Sequence, residues 1–333
     1  MKLGIFYHQF DKILQKVIFG HWCIGHWLLG KRFALLCQKG NTIAEIKSNP
    51  VTIAHSPDAD DIFMYYAVKF GWVSTPAPFE NVALDIETLN EAAIAGTYDV
   101  TAISFALYPK IREDFALLRT AVSFGEGYGP KLIKKKGTRL RRNFKVALSG
   151  KHTTNAMLFR IAYPEARIVY KNFLEIEEAV LSGELHAGVL IHESILDFDE
   201  SLEVEREIWD IWQELAGGDL PLPLGGMALR RSIPLTRAIA IEEALIKAVD
   251  VANRHRGILA KMLLERDLVR IDAETLDTYL DLYANDKSVT MDQTQLTALD
   301  TLFRIGYEHG FYECPIHAED FMIPHEYIQE RNS

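Results

Sequence analysis

The sequence predicts an α/β fold of two lobes facing a central ligand cleft, and three observations predict it. From Val51 onward, short apolar runs of strand type alternate with stripes at helix spacing, the rhythm of sheets with helical crossovers. The chain passes twice between its two halves, near residues 130–143 and again near 224–234, which makes a hinge with a cleft beside it. Several strands also run into polar loops that open helices, where unpaired backbone amides face a ligand. The 333 residues are 48% apolar and 25% charged, enough for two cores and too apolar for global disorder. The expected division is an atypical extension over residues 1–49, a discontinuous first lobe over 50–143 and 235–333, and a second lobe over 144–234.

The extension differs from the rest. Residues 1–50 hold seven Lys/Arg and two Asp/Glu, leaving −15 on the remainder against −10 for the whole chain. An acidic body repels polyphosphate, so no nucleic-acid partner is expected. The apolar stretch 17–29 is too short and too polar to span a bilayer, and no clean cleavage site follows it. Stable membrane insertion is therefore not expected, and the location is expected to be cytoplasmic. His21, Cys23, His26 and Cys37 are zinc-type ligands without a recognised spacing, so no metal is expected there. Three cysteines make no disulfide scaffold.

Each later element has a local reason. Residues 51–54 read as a strand that meets the acidic turn from Ser56 to Asp61; Ile62, Phe63, Tyr66, Ala67 and Phe70 then recur at helix spacing. Ser56 or Asp58 is the expected cap, with Pro57 tolerated in the first turn. Residues 82–86 read as a second strand, followed by a helix that Gly96 stops, and 100–105 as a third strand with Ser104 near its end. Repetition of these units predicts mainly parallel sheets. The basic run 134–142 reads as a solvated loop. In the second lobe, 144–148 is a strand, Gly150 to Thr154 a polar loop opening a helix, 167–170 a strand, and 187–191 a strand running into His192 and Glu193. Trp209 and Trp212 share a helix face, with core packing as the default, and the tail is helical over 239–253, 257–266, 272–283 and 295–309.

His192 is the leading chemical candidate, because an imidazole at the end of an apolar strand suits proton abstraction near neutral pH. Glu193 is expected to orient it. Asp58, Asp60 and Asp61 lack calcium-loop spacing and are expected to cap the helix or bind polar ligand groups. The loop from Gly150 through Thr153 and Thr154 offers amides and hydroxyls to a carboxylate or ring oxygen.

The ordered segments Ser56-Pro57-Asp58-Ala59-Asp60-Asp61, Leu89-Asn90, Asp99-Val100, Ser104-Phe105 and Gly127-Tyr128-Gly129-Pro130 resemble the MqnA/MqnD family of menaquinone biosynthesis. Gly150 with Thr153-Thr154, Ile191-His192-Glu193, Pro221-Leu222-Pro223-Leu224-Gly225 and Leu282-Tyr283-Ala284-Asn285 extend the resemblance, which covers about residues 50–312. It is nearest the branch that makes 1,4-dihydroxy-6-naphthoate. The resemblance implies a fold like the type 2 periplasmic binding proteins and a carbon–carbon lyase of the futalosine route. That enzyme would convert cyclic dehypoxanthinylfutalosine without a cofactor. It further implies that His192 is the general base and that Ala102, Ile103, Ser104, Thr153 and Thr154 bind substrate; Ser56, Asp58, Asp61, Gly150 and Glu193 complete the expected set. The sequence departs from this branch at Asp58-Ala59-Asp60-Asp61, where Cys-Pro-Asn-Asp is usual, and at Ala102, where Lys is frequent. The partner is expected to be a small-molecule substrate, with oligomeric state left open. The alternatives are a chorismate dehydratase-like enzyme, or a solute-binding protein for a small organic acid, for which no export signal or lipobox is evident.

Overall fold

The computed structural model describes residues 49–324. Residues 1–48, with the four possible zinc ligands, and the last nine residues lie outside the described residues.

The strand β1 (Val51–His55) is buried at four of its five positions and pairs in parallel with β2 (Phe79–Ala83) on one side and β3 (Val100–Ser104) on the other. The crossovers are α1 (Ala59–Lys69) and α2 (Ile86–Ile94). The second strand sits earlier than the expected 82–86. Asp85 caps α2 by accepting from the Thr88 amide at 3.2 Å, so Ile86 already belongs to the helix. Beyond the short α3 (Tyr108–Ile111), the strands β4 (Phe115–Leu117) and β5 (Ser123–Gly125) complete this side of the first lobe.

The second sheet holds β6 (Lys131–Lys135), β7 (Lys145–Leu148), β8 (Arg167–Tyr170), β9 (Ala187–Leu190) and β10 (Leu202–Glu207), in the order β10-β6-β9-β7-β8. Its helices are α4 (Thr154–Ala162), α5 (Ile176–Leu181) and α6 (Ile208–Ala216). The chain then returns as β11 (Leu222–Arg230), antiparallel to β3, β4 and β5 in the first sheet.

This corrects the expected boundaries at 143 and 234. Strand β6 belongs to the second sheet and β11 to the first, so the crossings fall earlier, around Gly127–Pro130 and just before Leu222. The basic run misled because part of it is a strand: Leu132 and Ile133 are buried, while Lys134 pairs with Glu203 at 3.5 Å and Glu205 at 2.5 Å on β10. The sheets are mixed rather than mainly parallel. Each has a parallel core, β2-β1-β3 or β8-β7-β9, closed by an antiparallel crossing strand, β11 or β6. Crossing strands must run antiparallel here because each enters its sheet from the cleft side.

The tail forms α7 (Leu235–Arg254), α8 (Arg256–Glu265), α9 (Ala273–Tyr283) and α10 (Gln293–Glu308). Helices α7, α8 and α9 pack on α1, and α10 packs on β11, so the tail belongs to the first lobe. Trp212 on α6 is fully buried and donates to the Leu220 carbonyl at 2.7 Å; Trp209 is half-buried. Gly188 on β9 is where α5 approaches closest: an added Cβ would lie 2.4 Å from Ile176 Cγ2 and 3.2 Å from Val180 Cγ2. Gly188→Ala should therefore cost about 1–3 kcal/mol through overpacking, read as a lower urea midpoint at unchanged m-value. Among the described residues, no helix is long and apolar enough to cross a membrane.

Candidate active site

A cavity opens between the carboxyl-terminal ends of β1 and β3, the start of α4 and the turn after β9. Ligands of α/β sheets collect at such strand ends.

The turn after β1 is held by its own groups. The His55 ring stacks on Tyr65 at 4.9 Å and its Nδ1 bonds the Ser56 carbonyl at 2.8 Å; burial lowers its pKa, and it packs behind the turn rather than in the cavity wall. The Ser56 amide donates to Asp61 Oδ2 at 2.7 Å, and the Ser56 hydroxyl donates to Asp58 Oδ2. Asp58 occupies the cap position of α1 yet makes no capping bond. Its oxygens are already engaged, Oδ2 with His192 Nδ1 at 2.8 Å and Oδ1 with Arg270 Nη2 at 2.8 Å. The capping bond comes instead from across the cleft, where Glu193 Oε1 accepts from the Ala59 amide at 3.0 Å.

His192 begins a 3₁₀ turn, His192–Ile195, with φ +55°, in the left-handed region that a non-glycine residue enters only when its surroundings hold it there. Phe173 meets its ring edge-on at 5.0 Å. With Nδ1 on Asp58, the other nitrogen, Nε2, is buried, without a hydrogen-bond partner among the described residues, in a residue that lines the cavity. A carboxylate on Nδ1 fixes the tautomer that leaves Nε2 free to take a proton. Burial is the largest single influence on His192 and disfavours its charged form. The Asp58 charge and hydrogen bond, with Glu193 and Asp60 behind them, outweigh it and lift the pKa to about 9. Burial raises Asp58 too, but His192, Ser56 and Arg270 together hold it below the usual carboxylate range. Neighbouring Asp60, buried against the Asp58 charge, is pushed up to about 7, and its Oδ1 accepts from the Tyr279 hydroxyl at 3.3 Å. Asp61, buried beside Asp60, rises well above the usual range.

The opposite wall is β3. Ala102, Ile103 and Ser104 line the cavity. Asn90, fully buried on α2, accepts from the Ser104 amide at 2.9 Å and donates to its hydroxyl at 3.1 Å. Gly225 and Gly226 of β11 lie beside this wall; a Cβ on Gly226 would strike the Phe105 ring at 2.7 Å.

The α4 end is used differently from expectation. Thr153 and Thr154 line the cavity, but their hydroxyls serve the protein. Thr153 Oγ1 caps α4 by accepting from the Ala156 amide at 3.3 Å. Thr154 Oγ1 donates to the Leu224 carbonyl at 3.0 Å and accepts from the Ala106 amide at 3.2 Å, tying this helix to the crossing strand and to the first lobe. The amides of Lys151 and His152 donate to the Glu87 carboxylate, at 2.7 Å and 3.1 Å, so they are taken. The first amides of α4, those of Thr154 and Asn155, have no carbonyl a turn back within the helix, and both residues line the cavity.

Of the expected residues, the structure therefore brings Ser56, Asp58, Asp61, Ala102, Ile103, Ser104, Thr153, Thr154 and His192 to one cavity. It does not bring Gly150 or Glu193. Gly150 faces Glu87, whose Oε2 would sit 2.3 Å from an added Cβ, so the glycine admits that carboxylate rather than a substrate. Glu193 is spent on the α1 amide and on Arg270. Sequence reasoning missed Asn155, Tyr279, Tyr283, Glu87 and Arg270. Tyr279 and Tyr283 stand four apart on α9, a spacing that places them on one face and that could have flagged them. Nothing local marks Arg270. Among the described residues, no group of three His, Cys, Asp or Glu is arranged to hold a metal ion.

The chain is 32% identical over 204 residues, 61% of its length and 74% of the relative's, to a 1,4-dihydroxy-6-naphthoate synthase of Thermus thermophilus. A protein of the same name from Streptomyces coelicolor is 28% identical over 276 residues, 80% of this chain and 95% of that one. A solved structure of a protein from Archaeoglobus fulgidus superposes with a TM-score of 0.73 at 32% identity, covering 79% of this chain and 99% of the other. The ligand-binding component of an import system from Staphylococcus aureus shares the fold alone, with a TM-score of 0.62 at 11% identity, over 83% of this chain and 97% of that one. The fold is thus the two-lobed one of periplasmic binding proteins. The family model described as menaquinone biosynthesis matches residues 51–308, and the chain belongs to that family.

Proposed function

We propose that the protein is a 1,4-dihydroxy-6-naphthoate synthase, an enzyme of menaquinone biosynthesis that cleaves a carbon–carbon bond of cyclic dehypoxanthinylfutalosine. The observation that carries the reading is His192 Nε2: buried, unpartnered, in the cavity wall, with Nδ1 held by Asp58. The names of the two synthase relatives support the choice of product.

In this reading, Nε2 takes the proton of a hydroxyl on the ribose-derived part of the substrate. The oxygen lone pair becomes a carbonyl, the adjacent carbon–carbon bond breaks, and its electron pair passes to the departing carbon, as in a retro-aldol reaction. Asp58 stabilises the imidazolium that forms. The ring then aromatises to the dihydroxynaphthoate, and dihydroxyacetone departs. Ala102, Ile103 and Ser104 form the wall against which the ring system rests, and the amides of Thr154 and Asn155 suit a carboxylate. Ser56 and Asp61, bonded to one another, shape the turn. Asp58 serves through His192 rather than by touching substrate. Closing the two lobes excludes water and fixes the reacting hydroxyl beside the base.

The sign of the pH dependence follows. A general base works when neutral, and with a pKa of about 9 most His192 rings are charged at pH 7. Below that pKa, kcat/KM should rise about tenfold per pH unit and level off near pH 9. A profile flat from pH 6 to 9 would remove His192 from the role of base.

The reading as a whole is tested by incubating the protein with cyclic dehypoxanthinylfutalosine, and separately with chorismate, and following products by mass spectrometry. Formation of 1,4-dihydroxy-6-naphthoate is the expected result. Dehydration of chorismate, or turnover of neither compound, would overturn it.

A further inference from the structure

The two lobes are joined across the cleft by carboxylate–amide contacts. Glu87 of the first lobe takes two amides at the start of α4, and Glu193 of the second takes the first amide of α1. The candidate base is itself split between them: His192 comes from the second lobe and Asp58 from the first.

We propose that Arg270 is a positioning residue that assembles this base, holding Asp58 of its own lobe and Glu193 of the opposite lobe so that the closed cleft seats His192 on Asp58. The proposal rests on the reading of His192 as base and deepens it. Arg270 lies in the turn between α8 and α9, both packed on α1. Its Nη2 is 2.8 Å from Asp58 Oδ1 and 3.4 Å from Glu193 Oε2. Its guanidinium lies 5.2 Å above the ring of Phe173, the same ring that buttresses His192. One side chain of the first lobe thus grips a carboxylate and an aromatic of the second, and both of those flank His192. Arg270 is 39% exposed and is not part of the cavity wall, so it acts through Asp58 and not on substrate.

Arg270 also sets a charge balance. The groups around His192 are Asp58 from the β1–α1 turn, Asp60 and Asp61 from α1, its neighbour Glu193, Tyr279 from α9, and Arg270. Arg270 is the permanent cation of this set and shares the negative charge of Asp58 with His192. Without it, Asp58 and Glu193 act on His192 undiminished, the imidazolium is held more tightly, and the base is freed only at higher pH.

The test compares the full chain with Arg270→Gln and Arg270→Lys, reading the pH dependence of kcat/KM and, without substrate, the NMR titration of the His192 ring. In Arg270→Gln, the rising limb and the ring titration should both move up by about one pH unit, an approximately tenfold lower kcat/KM at pH 7 that recovers toward pH 10. Arg270→Lys should recover most of the shift, because it restores the charge if not the fork. A limb and a titration that stay in place in both variants, whatever the loss of rate, would overturn the proposal and leave a merely structural arginine. Should Arg270→Gln fail to fold, the same readings on Arg270→Lys decide, since loss of the two-point grip should still move both upward by a smaller amount. The base reading fails separately: wild-type protein would show no rising limb, or would keep its activity in His192→Ala.

Discussion

His192→Ala should lower kcat by roughly 10²–10⁴-fold, the usual contribution of a positioned general base, with little change in KM. The asymmetry follows from what the side chain does. Its Nδ1 is committed to Asp58, and among the described residues its Nε2 makes no hydrogen bond, so its expected part is to take a proton in the reaction rather than to carry the binding of the substrate. Turnover of cyclic dehypoxanthinylfutalosine under saturating conditions is the measurement. A matching rise in KM with intact kcat would reassign His192 to binding. The fold should survive the change, because His192 is only partly buried and alanine, which keeps the Cβ, asks no more of the left-handed backbone than histidine does.

The second large effect is expected from Asp58→Asn, which should reduce kcat by roughly 10²–10³-fold and move the pH profile opposite to Arg270→Gln. Asp58 is the main group raising His192, through both its charge and its hydrogen bond. An amide keeps the shape but removes the charge, and burial then works unopposed by that partner, so the His192 pKa falls from about 9 toward or below its ordinary value near 6.5. At pH 7 more of the ring is neutral, yet it is a weaker base, and the imidazolium formed during the reaction has lost its counter-charge. Asn also has a donor where Asp has only acceptors, so the tautomer is no longer enforced. The readout is the kcat/KM profile, whose limb should move to lower pH while the plateau drops. A plateau at the wild-type height would show that the Asp58–His192 contact has no part in the chemistry.

The two shifts together separate charge from shape. Asp58 and Arg270 touch each other, yet their removal should drive the His192 limb in opposite directions. A common packing defect would give two losses of rate and no such divergence.

The position of Asp58 is also where this chain departs from the stretch usual in the synthase branch it resembles. Its acidic turn is not simply a more polar version of that stretch. Three carboxyl groups in one buried turn cannot all be ionised, and the structure distributes them unequally: Asp58 is kept charged by its cationic partners, while Asp60 and Asp61 are pushed toward the protonated form. Protonated carboxyls in the cavity wall are donors, which an Asp in solution at neutral pH is not.

The extent to which this was legible beforehand differs from residue to residue. Strands β1, β3, β7, β8 and β9 could be read in the sequence because each is a short apolar run bounded by turn residues. The tail helices were legible because their apolar stripes recur at helix spacing. His192 stood out because an apolar strand runs directly into it. The capping of α1, by contrast, was misassigned: Asp58 has the right residue type at the right place, and nothing nearby says that Glu193, 134 positions beyond the Ala59 amide, makes that bond instead. Gly150 belongs to a loop whose amides the sequence assigns to a ligand, but it makes room for Glu87. The strand β6 was hidden under its lysines because their partners, Glu203 and Glu205, lie on a strand far along the chain.

By itself, then, the sequence determined the strand–helix rhythm, the two-lobed plan, and the strand ends at which a ligand would sit, since periodicity, turn chemistry and caps act within a few residues. Tertiary structure alone decided which groups those strand ends face: which sheet each crossing strand joins, which carboxylate meets which amide, and that Asp58 finds an arginine 212 residues away. Such pairings depend on burial and on the field of charges brought together by folding, which have no local signature in the order of residues.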